Sequence, residues 1–282
     1  MGPSISSTEV GTPDLSAAQF AEISGMVYNL CGIRLEAGKE GLVKSRLIKR
    51  LHALELDTFH DYIAYLRHDT SGTELVSMID SISTNKTSFF RENQHFEFMA
   101  ARVLPHQTAS SAPMRIWCAG CSSGEEPFSL AILLADKLPD MVRRKIRILA
   151  TDISTRMLTE AREAVYDQDT VRDVPPLLLQ KHFRCVELKA PRKYQVNERL
   201  REMVSFARLN LLDEWPMSGP FSVIFCRNVM IYFDRPTRER LVNRFWDLLS
   251  PGGYLMVGHA ESLTGLNTRF SYVQPAVYGK QA

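Results

Sequence analysis

The stretch Arg115-Ile116-Trp117-Cys118-Ala119-Gly120-Cys121-Ser122-Ser123-Gly124-Glu125-Glu126-Pro127-Phe128-Ser129-Leu130 limits the fold more than any other part of the chain. A short apolar run, Ile116 to Ala119, meets a loop of small residues holding two glycines. Two carboxylates, a proline and an apolar-rich segment to Leu138 follow. Acidic residues and an early proline favour a helix N-terminus, so the order reads as strand, tight turn and helix start. Glycine at 120 and 124 permits φ > 0 and lets a ligand approach the main chain closely.

The spacing narrows the ligand. A dinucleotide loop is G-x-G-x-x-G, built to hold a pyrophosphate at a helix N-terminus. Here the pattern is G-x-x-x-G, and the two carboxylates after Gly124 would repel a diphosphate. They suit a ligand that is neutral or cationic at that point. S-adenosylmethionine has a sulfonium, an ammonium and ribose hydroxyls but no phosphate. On the loop residues alone, a plain left-handed turn without a ligand is the competing reading.

The segments around this loop follow an α/β rhythm. Lys145 to Thr151 alternates as a strand ending at Asp152, where a carboxylate can accept hydrogen bonds from both hydroxyls of a ribose. The alternative is that Asp152 caps the helix from Thr155 to Ala164. Residues 165–202 break the rhythm. After Val174-Pro175-Pro176 and a short helix, the runs 183–186 and 194–196 flank the basic turn Lys189-Ala190-Pro191-Arg192-Lys193, a small antiparallel insertion over about 183–202. Met203 to Leu209 reads as a strand ending at Asn210-Leu211-Leu212. Phe221 to Phe225 is another, delivering Arg227-Asn228-Val229-Met230-Ile231-Tyr232-Phe233 at its carboxyl end. A helix from Arg238 to Leu249, a strand from Tyr254 to Gly258 and a hairpin partner, Tyr272 to Tyr278, complete the pattern. Strands alternating with helices predict an α/β fold whose sheet is parallel with an antiparallel edge, and ligands outside its carboxyl edge.

The N-terminal part is different. Residues 1–13 hold Ser, Thr, Gly and Pro without periodicity and are expected to be a mobile tail. Over 14–83 the apolar positions recur at helical spacing: Phe20, Ile23, Val27 and Leu30, then Val43, Leu47, Leu51 and Leu54. Asp57 is the expected cap of a helix through Tyr62 and Leu66, and Ser71-x-x-Glu74 of one holding Leu75, Met78 and Ile82. Between 39 and 50 five cations stand against the single Glu40, and Arg46, Lys49 and Arg50 share one helical face. Such a face is either simply solvated or docks an acidic helix or nucleic acid. The run has no aromatics to stack on bases, which counts against nucleic acid. So does a formal net charge of only +2.

Five cysteines, an odd count, and the absence of a cationic, apolar leader point to reduced thiols and a cytoplasmic protein. Cys118-x-x-Cys121 lacks the second pair or histidines that a zinc site needs, so no metal is expected. The longest apolar run, Leu130 to Ala135, is too short to span a bilayer.

Several stretches together resemble the chemotaxis receptor methyltransferase (CheR) family. They are Thr84-Asn85-Lys86-Thr87-Ser88-Phe89-Phe90-Arg91, Ser122-Ser123-Gly124-Glu125-Glu126-Pro127-Phe128-Ser129 and Phe225-Cys226-Arg227-Asn228-Val229-Met230-Ile231-Tyr232-Phe233-Asp234. The basic helix and Asn210-Leu211-Leu212 agree, and the likeness runs from about Leu15 onward. It implies an N-terminal helical, receptor-docking domain (14–83) and a Rossmann-like class I methyltransferase domain (84–282) with a small β-subdomain inserted. It implies S-adenosylmethionine as methyl donor, S-adenosylhomocysteine as product, and glutamate side chains on the cytoplasmic helices of chemoreceptors as acceptors. The membrane is then met only through the receptor, and the enzyme acts as a monomer. Asn85, Thr87, Arg91, Glu125, Asp152, Asn210, Leu211, Asn228 and Val229 are the cofactor residues so implied, Arg91 and Tyr232 the catalytic ones. Arg46, Lys49 and Arg50 are the docking residues. Members that grip a receptor C-terminal pentapeptide have a glycine in the β-subdomain turn; here Glu187 to Arg192 has none, which speaks against that tether. A dehydrogenase, a nucleic-acid N-methyltransferase and a non-catalytic relative are the rival classes.

Overall fold

Apolar spacing and capping chemistry account for most elements of the computed structural model, which describes residues 13–83, 85–109 and 113–281. The tail expected over 1–13 thus lies, except for Pro13, outside the described residues. The chain divides into two units, Met1–Leu30 with Arg34–Ser83, and Cys31–Ile33 with Thr84–Ala282.

The first unit is helical: α1 (Ala17–Cys31), α2 (Glu40–Ala53), α3 (Phe59–His68) and α4 (Thr73–Ile82). Ile23, Val27, Val43, Leu47 and Leu51 are buried, as their spacing requires. The caps differ from expectation. Thr58, not Asp57, caps α3, its hydroxyl accepting from Asp61 N–H at 3.1 Å. The Ser71/Glu74 box does not form: α4 starts after Gly72 in the left-handed region, and Glu74 turns inward. Its carboxylate accepts from Arg50 Nε at 3.0 Å and from the Tyr62 hydroxyl at 2.8 Å. An acidic residue in a sequence box turned instead to a half-buried cation and a buried tyrosine hydroxyl.

The second unit opens with α5 (Gln94–Phe98), a π-helical turn (Met99–Val103) and α6 (Leu104–Ala109). Then come β1 (Met114–Ala119), α7 (Glu125–Lys137), α8 (Asp140–Arg143), β2 (Ile146–Asp152), α9 (Thr155–Glu163) and β3 (Val165–Asp167). The insertion supplies α10 (Pro176–His182), β4 (Phe183–Glu187), β5 (Lys193–Val196) and α11 (Glu198–Arg201). The chain closes with β6 (Val204–Arg208), β7 (Phe221–Cys226), α12 (Arg235–Leu248), β8 (Leu249–Val257), β9 (Ser271–Gln274) and β10 (Val277–Gly279).

The main sheet has the order β6-β2-β1-β7-β8-β10-β9 among the described residues. Its first five strands are parallel, and β10 and β9 form the antiparallel edge. The α/β expectation, with a helical N-terminal part and a small antiparallel sheet, is met. Along β1 the side chains alternate between two cores. Met114, Ile116 and Cys118 join Phe128 and Leu130 of α7, whereas Trp117 and Ala119 join Leu241 and Phe245 of α12.

Three details were not foreseen. The small sheet has a third strand, β3, in the order β3-β5-β4. Helix α12 starts at Arg235, because Asp234 accepts from Thr237 N–H at 2.9 Å and Pro236 fits the first turn. The stretch expected as one hairpin partner is itself a hairpin, β9 and β10. No helix among the described residues is long and apolar enough to cross a membrane. All five cysteines are free thiols, and Cys118 and Cys121 are buried in the core rather than paired.

Candidate active site

The strand order reverses between β1 and β7: β2 and β6 lie beyond one, β8 beyond the other. In open α/β sheets such a switch point leaves a crevice at the carboxyl ends of the strands. The loops after β1 and β7 meet there. Gly120 has φ +97°, and a Cβ on it would stand 2.4 Å from Val229 Cγ2, so only glycine permits the approach. Gly124, at φ +96°, turns the chain into α7.

Most of the residues expected at the site come together along this edge. Asp152, at the end of β2, accepts from Ser122 N–H at 2.8 Å and from Ser154 N–H at 2.9 Å. It is not the cap of α9; Ser154 fills that role, accepting from Met157 N–H at 3.1 Å. Ser122 also donates its hydroxyl to the Asn85 carbonyl at 2.9 Å, which ties the 85–91 segment to the glycine loop. The Asn85 side-chain nitrogen is buried and has no hydrogen-bond partner among the described residues. Leu209 N–H donates to the Asp152 carbonyl at 2.9 Å, so Asn210 and Leu211, both buried, follow directly beside Asp152. Glu125 is buried at the first turn of α7, and its carboxylate accepts from the Ser123 hydroxyl and from its own main-chain N–H. Burial pushes its carboxyl pKa up, against the Ser123 bond.

Behind this edge lies a network the sequence reading missed. The guanidinium of Arg227, at the end of β7, is buried. It donates to Glu126 Oε2 at 2.9 Å, to Glu92 Oε2 at 3.1 Å and to the Arg91 carbonyl. Glu126 is therefore spoken for, and of the two carboxylates first read as ligand-facing only Glu125 remains without a cation. Phe90 and Glu92 both have φ near +50°, at 53° and 54°, bracketing Arg91 in a strained turn. Phe90 N–H donates to Ser129 Oγ at 2.9 Å, and Arg91 Nη1 to the Lys86 carbonyl at 2.7 Å. Thr87 is half-buried in the same turn.

The loop after β7 is held from the other side. Asn228 sits at φ +58°, and its N–H donates to Glu261 Oε2 at 2.8 Å. Glu261 also accepts from Ile231 N–H at 3.1 Å and Gly258 N–H at 2.6 Å. A buried carboxylate thus satisfies two main-chain donors of the loop after β7 and one at the end of β8, and so ties the two strand ends together. Tyr232 ends this loop, half-buried, in a single 3₁₀ turn. Glu92, His95 and His259 bring one donor atom each within 4.8 Å of one another. However, Glu92 already accepts from Arg227, from the Asn228 amide at 3.4 Å and from His259 N–H at 3.2 Å. Burial, then Arg227, pushes the His95 pKa down to about 4, so its ring is neutral.

Arg46, Lys49 and Arg50 belong to the other unit. Arg46 donates to the carbonyls of Ile82 and Ser83, closing the end of α4, and Arg50 is paired with Glu74. Of the three, Lys49 is exposed. Neither these contacts nor the Arg227 network has a periodic signature; each follows from which cation is nearest a buried acceptor. The one available signal was position: Arg227 and Glu261 both stand just beyond the carboxyl end of a strand.

Residues 85–278 match the model of the CheR methyltransferase SAM binding domain, and residues 18–83 that of the CheR methyltransferase all-alpha domain. The chain is 41% identical over 274 residues to a chemotaxis protein methyltransferase of Borreliella burgdorferi, covering 95% of each chain. It is 38% identical over 265 residues to the chemotaxis protein methyltransferase of Escherichia coli, covering 94% of this chain and 91% of that one. With the switch-point crevice and these matches along both units, the chain belongs to the CheR methyltransferase family.

Proposed function

We propose that this S-adenosylmethionine-dependent methyltransferase forms methyl esters on glutamate side chains of chemoreceptor cytoplasmic helices, working as a cytoplasmic monomer. The observation that carries the reading is the convergence of Asn85, Arg91, Glu125, Asp152 and Asn228 on one sheet edge, with the Asn85 side-chain nitrogen buried and without a partner among the described residues. An orphaned buried donor is costly and fits a site completed by a ligand. In this reading Asp152 holds the ribose, Glu125 the amino-acid part, and Asn210, Leu211, Asn228 and Val229 the adenine side. Asn85, Thr87 and Arg91 complete the wall. Bound S-adenosylmethionine supplies an electrophilic methyl group. A glutamate acceptor is already ionised near neutral pH and needs no general base, so the chain's task is alignment. Arg91 orients the incoming carboxylate and Tyr232 donates a hydrogen bond to it.

The deciding experiment is transfer of labelled methyl to receptor cytoplasmic fragments; base-labile product marks an ester. Tyr232→Phe removes one hydroxyl and should slow turnover while leaving thermal stability unchanged. Full activity in that variant would remove the hydroxyl from the mechanism.

Glu125 couples binding to pH. Its carboxyl pKa is raised in the folded chain, so the ionised form is penalised at pH values above the ordinary glutamate range. Glu125→Gln should therefore stabilise the unliganded protein at neutral pH and leave stability unchanged once pH falls below that range. In the parent, cofactor affinity should fall on acidification through the raised pKa; in the variant it should be weaker and flat. Calorimetry across pH checks both arms.

Receptor docking through the basic face of α2 is the second element of the proposal. Removing Arg50 would strand Glu74 in the interior, so Lys49, which is exposed, isolates the docking effect. A single exposed pair contributes about 0.2–1 kcal/mol, so Lys49→Glu should raise the receptor KM roughly two- to fivefold at low salt. The effect should shrink as salt rises, with cofactor affinity unchanged. An unaltered receptor KM would make the face a merely solvated one.

A further inference from the structure

The insertion and the helices beside it enclose a cleft that the methyl-transfer reading does not use. Its volume is about 790 Å³, and its walls come from the end of α7, α8, α10, β4, β5 and α11. Five cationic side chains line it, Arg143, Lys181, Arg184, Arg199 and Arg201, against two carboxylates, Asp140 and Glu198. That excess of three exceeds the formal net charge of the entire chain, +2. Positive charge is concentrated at this one concavity, where low-dielectric walls focus its field.

The bland reading is a patch of solvated surface cations, and two observations go against it. His182, only 6% exposed, lines the cleft, and its Nε2 is buried with no hydrogen-bond partner among the described residues. Arg201 Nε is buried without a partner as well. Unpaired buried polar atoms call for an explanation such as a missing ligand. Burial, then the charges of Lys181 and Arg143, push the His182 pKa down, so the ring is neutral and offers a hydrogen bond rather than a charge.

The cations are also available. Lys181 reaches Asp136 at 3.2 Å in an exposed, weakly held pair, while Arg143, half-buried, reaches the exposed Asp140 at 2.7 Å and the Ala135 carbonyl at 3.5 Å. Arg184 donates to the neutral Gln195 at 3.1 Å, and neither Arg184 nor Arg199, both exposed, has an ion pair among the described residues. Four of the five cations are guanidinium groups, whose planar forks match the oxygens of phosphate in pairs. The volume is that of a small-molecule pocket rather than a groove for a folded partner.

We propose that this cleft is a second ligand site, separate from the cofactor crevice, for a compact anion bearing several phosphate groups, of the size of a nucleoside triphosphate. The glycine loop would not compete for such a ligand, because Glu125 there repels phosphate. The inference stands whether or not glutamate is the methyl acceptor.

Tripolyphosphate and ATP, each without metal, are the probes, measured against the full chain by calorimetry and thermal shift. Either should bind and raise Tm, with affinity falling roughly tenfold or more between low salt and about 0.3 M salt. Arg199→Glu and Lys181→Gln should each weaken binding roughly tenfold, while Arg269→Gln, an exposed cation elsewhere, should change it less than about twofold. S-adenosylhomocysteine affinity should be the same in all three variants. Failure of both probes at millimolar concentration overturns the proposal. So does equal weakening by Arg269→Gln, which would mean attraction to charge in general. Binding of a hexaglutamate peptide where both phosphates fail would assign the cleft to acidic peptides and overturn the phosphate class.

Discussion

Arg227→Met is expected to cost about 3–5 kcal/mol of folding stability and most of the methyl-transfer activity. The substitution keeps most of the volume but removes the charge together with its hydrogen-bond donors, leaving the half-buried carboxylates of Glu92 and Glu126 without their cation. Burial pushes the Glu126 pKa up even with Arg227 beside it, so without the cation Glu126 will take a proton. The loss of stability should therefore be smallest at mildly acidic pH and grow as pH rises and ionisation is forced. Arg227→Lys keeps the charge but cannot reach Glu126, Glu92 and the Arg91 carbonyl together. It should recover much of the stability and little of the turnover, because the strained turn carrying Arg91 loses its anchor. Denaturant unfolding across pH, paired with kcat, checks this. Stability within about 1 kcal/mol of the parent in Arg227→Met would show that the network holds nothing together.

Asp152→Ala should weaken S-adenosylhomocysteine binding by about 1.5–3 kcal/mol, a factor of roughly ten to a hundred and fifty. Two losses contribute. The carboxylate proposed for the ribose goes, and so does the acceptor that orders Ser122 N–H in the glycine loop. Asp152→Asn separates them: it retains an acceptor for the loop but lacks the charge, and should fall between parent and alanine. Calorimetry on proteins with parent-like circular dichroism is the measurement. Unchanged affinity in Asp152→Ala would take the residue out of the site.

What the sequence allowed to be read follows from the range of the forces involved. Strand β1, the turn at Gly120 and Gly124 and the start of α7 were legible because their signals are local: alternation, φ > 0 and helix-end electrostatics act within a few residues. The placement of Asp152 was legible through βαβ spacing. Strand β3 was not, because three residues carry no usable period and Val165–Asp167 is a strand only by pairing with β5. Nor was the fate of Glu74, whose capping pattern is sound locally but loses to Arg50 and Tyr62, brought close by the packing of α2 and α3. The same limit hid Arg227 and Glu261. Both were visible as charged residues near strand ends, yet all but one of the groups they hold, Gly258 N–H being the exception, come from segments thirty or more residues away.

The approach of Gly120 to Val229 also governs how this site can change over generations. Adding a single methyl at 120 collides with 229, and the φ of +97° penalises it further. Trimming 229 alone opens a gap beside the glycine loop. Neither substitution is acceptable first, so the two positions behave as one inherited unit, with the single-step intermediates closed. Variation in ligand preference within this scaffold then has to enter through positions free of such coupling.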